Sequence, residues 1–372
     1  MNSYRSLHSL NYSLQFVVIL GVGLFLSGCS DTSDPSTNLR TSAIPSIEVE
    51  HVLSIFEPNE NYIVSTNNLV TTSQGEIIFT DPSNNRLMVY SADGEFLQQI
   101  GRTGSGPGEF LHLINLVMSP DDKLFVPDLR QVRTTIFHKP DQEWIIDRVI
   151  THSDGGMYVQ AVNGNDAVFR ASLSQSPTPA VYTYKHWIAS GSIEGDIELG
   201  PKIEVDDVTF LLTPSGDNFS MILVPYNTPT LTKTDRHGNL HMLKSGESVI
   251  SKYNSKMEVI DTIQIQLDPV PTTLAERDSV VARSNPSFHN LISANFPTHK
   301  SLVESFQVDE EGRYWLETND SPKFVAFDST GNPLGSFDVP DGLRFLHASH
   351  NRLYFTDSNR EQFRVEVFEV KW

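Results

Sequence analysis

Three aspartates occupy equivalent positions in repeated segments of the sequence, and carboxylates are groups that bind hard cations. Each stands six residues after a turn residue; the aspartates are Asp81, Asp128 and Asp357, after Gly75, Asp122 and Asn351. If the repeats surround an axis, the three carboxylates would form a ring able to bind Ca²⁺ or another divalent cation. However, related offsets elsewhere carry Lys244 and Thr318. Aspartate after a strand commonly accepts hydrogen bonds from the following turn, so the pattern favours a structural role.

A glycine-rich segment, Gly101–Gly108, raises the question of phosphate binding, because glycine amides can surround an oxyanion. Gly106 is followed by Pro107 rather than by Lys and Ser or Thr, and no helix-forming sequence follows. The segment is therefore interpreted as a connection between repeats.

Other catalytic signals are weak. The sequence has no G-x-S-x-G and no H-E-x-x-H motif. The twelve histidines are scattered, and three of them, His112, His241 and His347, lie near predicted repeat boundaries. Isolated histidines are more often surface or core residues than metal ligands. The sequence thus predicts no catalytic residue and no bound cofactor, apart from the weak divalent-cation possibility.

Aromatic residues offer a second class of binding surface. The four tryptophans are Trp144, Trp187, Trp315 and Trp372. They could stack on sugars or peptides, but at strand positions such as Trp315 packing between sheets is the more common role.

The amino terminus carries an export signal. Arg5 precedes an apolar run, Phe16–Leu26, that is shorter than the about 20 residues of a membrane-spanning helix. The run ends in Leu-Ser-Gly-Cys29, which resembles the lipobox of bacterial lipoproteins. That resemblance implies cleavage after residue 28 and acylation of Cys29 by diacylglycerol and a fatty acid such as palmitate. The alternative is an ordinary signal peptide, but Cys29 is the only cysteine and forms no disulfide within a monomer.

The residues that follow favour a tethered, acidic monomer. Residues 29–46 are rich in Ser, Thr, Asp and Pro, which predicts a flexible tether. The net charge is -19, and loss of residues 1–28 removes one basic residue and no acidic one. This balance argues against nucleic-acid binding. Ser30 after the cysteine resembles outer-membrane lipoproteins, with the side of the membrane left open.

Residues 47–372 contain one recurring unit: a turn, an apolar strand, a polar turn and a strand ending in an aromatic residue. Four turn residues are each followed 15 positions later by an aromatic: Gly75 by Tyr90, Asp122 by Phe137, Gly238 by Tyr253 and Gly312 by Phe327. Alternating segments between these markers predict short antiparallel strands, four to a unit. A single sheet of this size leaves its apolar faces uncovered, so the units must stack around an axis.

The sequence therefore predicts an all-β, six-bladed β-propeller, with seven blades as the alternative. The units are predicted near residues 65–100, 112–150, 155–200, 225–267, 303–338 and 343–372. The last unit lacks a fourth strand, which we expect Ile47–Ile55 to supply. Residues 269–300 interrupt the pattern, and Thr273-Leu-Ala-Glu276 predicts a helix through about Arg283.

The segment Asp81–Gly94, continuing into Ile100–Phe110, resembles the NHL repeat. More broadly, residues 47–372 resemble six-bladed β-propeller lipoproteins of Bacteroidota-type bacteria. The lipobox, the repeats and the lack of a catalytic motif in the sequence favour a noncatalytic binding or assembly module at the cell envelope, whose ligand is a protein, a small molecule or a glycan. The alternative is a metal-dependent hydrolase, lactonase or lyase, since propeller lactonases of the gluconolactonase type hold a metal on the axis.

Overall fold

The computed structural model describes residues 44–55, 66–113, 115–152, 157–173, 180–194, 197, 199–215, 218–357 and 363–372. The predicted signal peptide, Cys29 and the tether as far as residue 43 lie outside these residues. Ala43–Trp372 forms one compact unit. None of the helices described in it has the length and apolar character needed to cross a bilayer.

The described residues form 25 strands and two α-helices. The strands of the first half are β1 (Glu48–Ile55), β2 (Leu69–Thr71), β3 (Ile77–Asp81), β4 (Arg86–Tyr90), β5 (Phe96–Ile100), β6 (Val117–Met118), β7 (Leu124–Asp128), β8 (Arg133–His138), β9 (Ile145–Thr151), β10 (Met157–Asn163), β11 (Asp166–Ser172), β12 (Ala180–Ser192), β13 (Leu199–Ser215) and β14 (Asn218–Leu223). Those of the second half are β15 (Thr230–Thr234), β16 (Leu240–Lys244), β17 (Val249–Tyr253), β18 (Val259–Gln264), β19 (Val303–Val308), β20 (Tyr314–Thr318), β21 (Phe324–Phe327), β22 (Pro333–Phe337), β23 (Leu343–Ser349), β24 (Arg352–Asp357) and β25 (Val365–Lys371). The helices are α1 (Leu274–Arg283) and α2 (His289–Asn295), with a 3-10 turn at Pro286–Phe288 between them.

These strands form six antiparallel sheets, which confirms the six-bladed propeller. Blades 1 to 5 follow the chain as β2–β5, β6–β9, β10–β14, β15–β18 and β19–β22, and blade 6 contains β23, β24, β25 and β1. The first strand of each blade contacts first strands of neighbouring blades. The first strands therefore surround the axis, and the later strands of each blade lie progressively farther out.

The 15-residue spacing has a direct structural cause. Gly75, Asp122, Gly238 and Gly312 all adopt a left-handed backbone conformation in the turn between first and second strands. Two residues after each turn, the second strand begins opposite the aromatic residue on the third strand; the pairs are Ile77 with Tyr90, Leu124 with Phe137, Leu240 with Tyr253 and Tyr314 with Phe327. The four blades thus share one register.

The hydrophobic core is divided among the blade boundaries. One apolar cluster lies at each of the six boundaries between neighbouring blades. At the boundary of blades 5 and 6, for example, Trp315 and Phe324 pack with Phe355. Since burying apolar surface is the main favourable term in folding, the stability of each blade depends on both of its neighbours.

The two ends of the described chain close the ring. β1 pairs antiparallel with β25 from Glu48 opposite Lys371 to Ile55 opposite Val365, which confirms the predicted fourth strand of blade 6. The segment before β1 also contacts blade 5: the backbone N–H of Ile47 donates to the carbonyl of Ser336 at 2.7 Å, and the N–H of Ser336 donates to the carbonyl of Pro45 at 2.8 Å. The contact of Pro45 lies two residues before the predicted start of the propeller at residue 47.

Blade 3 departs from the prediction, which placed it at residues 155–200. It has five strands and continues to Leu223, because β12 and β13 are 13 and 17 residues long. The helical insertion lies between blades 4 and 5 as predicted, and α1 begins with a capping box between Thr273 and Glu276. Phe288 and Ile292 of the insertion pack against apolar residues of the long β13–β14 hairpin.

We expect Gly238→Ala to destabilise the protein more than Gly164→Ala. Both glycines have positive φ, +75° and +60°, so each substitution carries the left-handed penalty of about 1–2 kcal/mol. At Gly238 a Cβ atom would also lie 2.2 Å from the carbonyl oxygen of Val162 in blade 3, whereas Gly164 has no atom within 4 Å. The collision should add about 1–3 kcal/mol. Urea unfolding measures the difference, and equal losses would contradict the importance of close blade contact at this turn.

Candidate functional site

A cavity of about 170 Å³ lies on the propeller axis. Its lining comes from the first strand of every blade, β2, β6, β10, β15, β19 and β23, and from the turns that follow most of them. A volume of this size accommodates roughly ten water-sized groups. We call this cavity the channel.

Lys233 is the channel residue with the most unusual environment. It lies in the middle of β15, between Thr232 and Thr234. The hydroxyl of Thr232 accepts a hydrogen bond from Gln160 at 3.1 Å, and the hydroxyl of Thr234 donates to the Gln160 backbone carbonyl at 2.9 Å. Both threonines therefore face blade 3, and strand alternation directs Lys233 to the opposite side. Among the described residues its ammonium group has no hydrogen bond or ion pair.

The surroundings of Lys233 disfavour the charged form of its side chain. Burial, followed by the positive charge of Arg344, lowers the pKa of Lys233 to about 8. Burial and the charge of Lys233 in turn lower the pKa of His347 to about 3, so this imidazole is neutral at physiological pH. His347 is held by the hydroxyl of Thr71, 3.2 Å from its Nε2.

Arg344 lies near the start of β23, outside the channel lining, and its side chain is exposed. Its guanidinium donates to the backbone carbonyl of Thr66 and to Oδ1 of Asn67, the latter at 3.3 Å. Both of these acceptors are neutral. Burial lowers the pKa of Arg344, and the negative charge of Glu317 opposes this shift.

The opposite end of the channel is acidic, and each of its carboxylates has at least one partner in the protein, although Oε2 of Glu310 has no hydrogen bond among the described residues. These acids are Asp122, Asp235, Asp309 and Glu310. Their partners include Ser73, His241, Arg313 and the backbone N–H of His350. Asp235 and Asp309 also accept backbone N–H bonds in the turns that they begin. These acids hold turns in place, and none of them pairs with Lys233.

The three aspartates of the predicted metal ring lie one strand away from the channel lining. Asp81, Asp128 and Asp357 end β3, β7 and β24, which are second strands of their blades. Asp81 accepts hydrogen bonds from Arg86 and Asn84, both at 2.8 Å, and Asp128 accepts four within 3.1 Å. The described part of the chain contains no group of three acidic, His or Cys side chains placed to hold a metal. The geometry of Asp81 and Asp128 matches the structural role.

The glycine-rich segment connects blades 1 and 2. The backbone N–H of Gly106 donates to the carboxylate of Glu109 at 2.8 Å, and Arg102 pairs with the same carboxylate at 2.8 Å. These two contacts hold the pKa of Glu109 below its ordinary value. An internal carboxylate therefore occupies the position that a phosphate would need.

The three predicted histidines have different surroundings. His112 is exposed, whereas His347 lines the channel. His241 is buried at the boundary of blades 4 and 5, with Nε2 3.1 Å from Asp235 and Nδ1 3.0 Å from the hydroxyl of Tyr314. Burial raises the pKa of Tyr314, and the nearby charge of Asp235 contributes. His241, Asp235 and Tyr314 connect blades 4 and 5, and His241 does not line the channel.

The tryptophans serve mainly as packing groups. Trp144 and Trp315 are buried in the clusters between blades. Lys202 lies over the ring of Trp187 at 5.7 Å. Trp372 is 60% exposed, and the guanidinium of Arg313 lies over its ring at 4.8 Å.

A family model described as a 6-bladed beta-propeller matches residues 48–134. This match and the six sheets confirm the expected resemblance to six-bladed propeller proteins. A search of curated proteins found no significant match.

Solved structures with the same fold include an exported protein of Bacteroides fragilis. It matches 90% of this chain and 97% of its own, with 14% identity and a TM-score of 0.51. A DUF4221 family member from Bacteroides vulgatus matches 88% and 99%, with 11% identity and a TM-score of 0.47. Virginiamycin B lyase from Staphylococcus aureus matches 87% and 99%, with 10% identity and a TM-score of 0.46. At these identities the likeness concerns the fold.

We expect Lys233→Met to stabilise the ligand-free protein at pH 7. The folded-state pKa of about 8 lies below the ordinary 10.5, so the charged form is disfavoured by folding. The charged ammonium of Lys233 destabilises the folded state by its full amount below pH 8. This destabilisation decreases as the pH rises from 8 to 10.5, because Lys233 loses its proton in the folded state before it does so in the unfolded state. The substitution should raise the free energy of unfolding by up to about 3 kcal/mol at pH 7 and remove this rise with pH.

The matched control is Lys256→Met, at an exposed position. Its effect should stay within about 0.5 kcal/mol. Urea unfolding at pH 7 and pH 9.5 provides the measurement. A destabilised Lys233→Met protein would mean that the ammonium is paired in solution.

Proposed function

We propose that this protein is a noncatalytic binding module of the cell envelope, anchored by lipid on Cys29, and that the channel is its ligand site. The observation that carries the proposal is the axial cavity, lined by every blade, with the ammonium group of Lys233 on its wall and no hydrogen bond or ion pair to that ammonium among the described residues. Pockets that bind small molecules are concave and present a few convergent polar groups. The channel has this character.

The rigidity of the surroundings supports a binding role. The channel wall is made of strands, and the side chains near Lys233 are fixed by bonds such as Gln160 to Thr232 and His347 to Thr71. Groups held in place before binding lose little conformational entropy when a ligand arrives. The channel is also too small for a polymer strand with its side groups, so we assign it a small molecule.

Export is supported by the sequence of the amino terminus and by the shared fold with an exported Bacteroides fragilis protein. The acidic body suits a protein that stays soluble beside a membrane and attaches through its lipid rather than through basic residues.

The lipid anchor predicts palmitate labelling that depends on Cys29. Cells fed labelled palmitate should incorporate it into the wild-type chain and into a Ser30→Ala control, because the lipid is attached to Cys29. Cys29→Ser should abolish the label. The measurement is label per protein after immunoprecipitation, and equal labelling of the Cys29→Ser chain would refute the anchor.

The channel site predicts ligand stabilisation that is lost when the cavity is filled. Thr71 lines the channel, so Thr71→Trp should block it, whereas Arg148→Trp on an exposed part of β9 should not. Thermal unfolding of the chain from Ser30 to Trp372 would be followed with glucose, glycine, succinate and spermidine at millimolar concentration. At least one probe should raise the melting temperature of wild type and Arg148→Trp but not of Thr71→Trp.

Circular dichroism and the ligand-free melting curve would establish that Thr71→Trp is folded. If it is not, Met118→Trp blocks the same channel from blade 2. Stabilisation that persists in a folded, blocked variant would place the site elsewhere. Lack of stabilisation by every probe would count against a small-molecule site.

A further inference from the structure

Lys233 lacks an acidic partner in a protein that has an excess of acids. The chain contains 46 acidic and 27 basic residues, yet no carboxylate among the described residues pairs with this ammonium. Lys233 is half-buried, and keeping a charge largely away from water without a partner is costly. The charged neighbour that acts on Lys233, Arg344, has the same sign. An anion entering the channel would therefore relieve two unfavourable terms, desolvation and like-charge repulsion.

The other groups of the channel limit the kind of anion. Phosphate sites usually supply several donors, often from arginine forks or from backbone amides at a helix start. Near Lys233 the channel offers one ammonium beside an uncharged His347, while the carboxylates at the other end of the channel are engaged in turns. The Arg344 guanidinium lies outside the channel lining and already donates to Thr66 and Asn67. A carboxylate, with one charge and a small volume, fits this donor set better than a phosphate.

We propose that the channel binds a small organic carboxylate whose charged group forms an ion pair with the ammonium of Lys233. This inference rests on the proposed function of the channel as a ligand site and specifies the class of ligand.

Gln160 suggests a second contact for the same ligand. It lines the channel on β10 and is 9% exposed. Its amide nitrogen donates to Thr232, but its Oε1 has no hydrogen-bond partner among the described residues. This oxygen is itself buried, so a hydroxyl group on the ligand would satisfy it after a rotation of the amide toward the channel. A hydroxylated carboxylate should therefore bind more tightly than its deoxy analogue.

The test compares three matched probes on the chain from Ser30 to Trp372: lactate, propionate, which lacks the hydroxyl, and lactamide, which lacks the charge. Binding is followed by ligand-detected NMR titration. We expect lactate to bind most tightly, propionate more weakly and lactamide at least tenfold more weakly than lactate. Lys233→Met should weaken lactate binding at least tenfold, and Lys256→Met should leave it unchanged.

Lys233→Arg provides a second variant, because it keeps the positive charge and should retain most of the lactate affinity. Circular dichroism establishes folding of each variant. Lactamide binding as tight as lactate, or lactate binding unaffected by Lys233→Met, would overturn the ion pair but leave the channel as a ligand site. Failure of lactate and propionate to bind while inorganic phosphate binds would overturn the carboxylate assignment.

The blocked variant separates this inference from the proposed function. Thr71→Trp should abolish lactate binding if the channel is the site. If lactate binding survives in folded Thr71→Trp, the channel itself is not the ligand site and both proposals fail.

Discussion

Each blade of this propeller has two apolar faces, and its own strands cover neither of them. The faces become buried only against the neighbouring blades, so every hydrophobic cluster of the propeller ring is shared by two blades. This arrangement makes the ring cooperative, because loss of one blade exposes the faces of two others. It also explains why Gly238 has no Cβ: the backbone of the preceding blade occupies that space.

Ring closure depends on a strand from the other end of the described chain. β1 pairs with β25, and the preceding Ile47 is buried at the boundary of blades 5 and 6. Blade 6 therefore cannot be completed until both ends are present. Joining these distant segments costs loop-closure entropy, and it gives blade 6 its fourth and outermost strand. The predicted tether leads directly into this closing segment, so a membrane anchor would hold the body at its seam.

The repeated register could be predicted because it is local. A left-handed turn residue and an aromatic 15 positions later define the strand pairing within one blade, and Gly75 with Tyr90 shows the pattern clearly. Blade 3 was less predictable, since its long β12 and β13 do not depend on tight turns at regular intervals. The capping box at Thr273 was predictable for the same reason as the turns, because both partners lie within four residues.

The candidate site could not be predicted in the same way. Equal offsets correctly identified Asp81, Asp128 and Asp357 as equivalent, but their position at the ends of second strands places them outside the channel lining. Lys233, by contrast, lies in a short polar strand, Thr-Leu-Thr-Lys-Thr, with no catalytic or metal-binding motif. Its environment depends on Arg344 and His347, which are more than 100 positions away in the sequence. Such a site exists only after the ring closes.

The desolvation cost of the Lys233 ammonium raises the question of why a lysine lies on the wall of the channel. A methionine of similar length would fill the same space without the desolvation cost, and selection for stability alone would favour it. Lysines on the exposed surface carry little desolvation cost. The net charge of the protein could therefore be reached without an ammonium on the axis. Residues that lower stability without a compensating contact are concentrated at functional sites. A rigid ring that places the Lys233 ammonium on the wall of a small cavity, with no ion pair to it among the described residues, therefore supports the proposal of an anionic ligand.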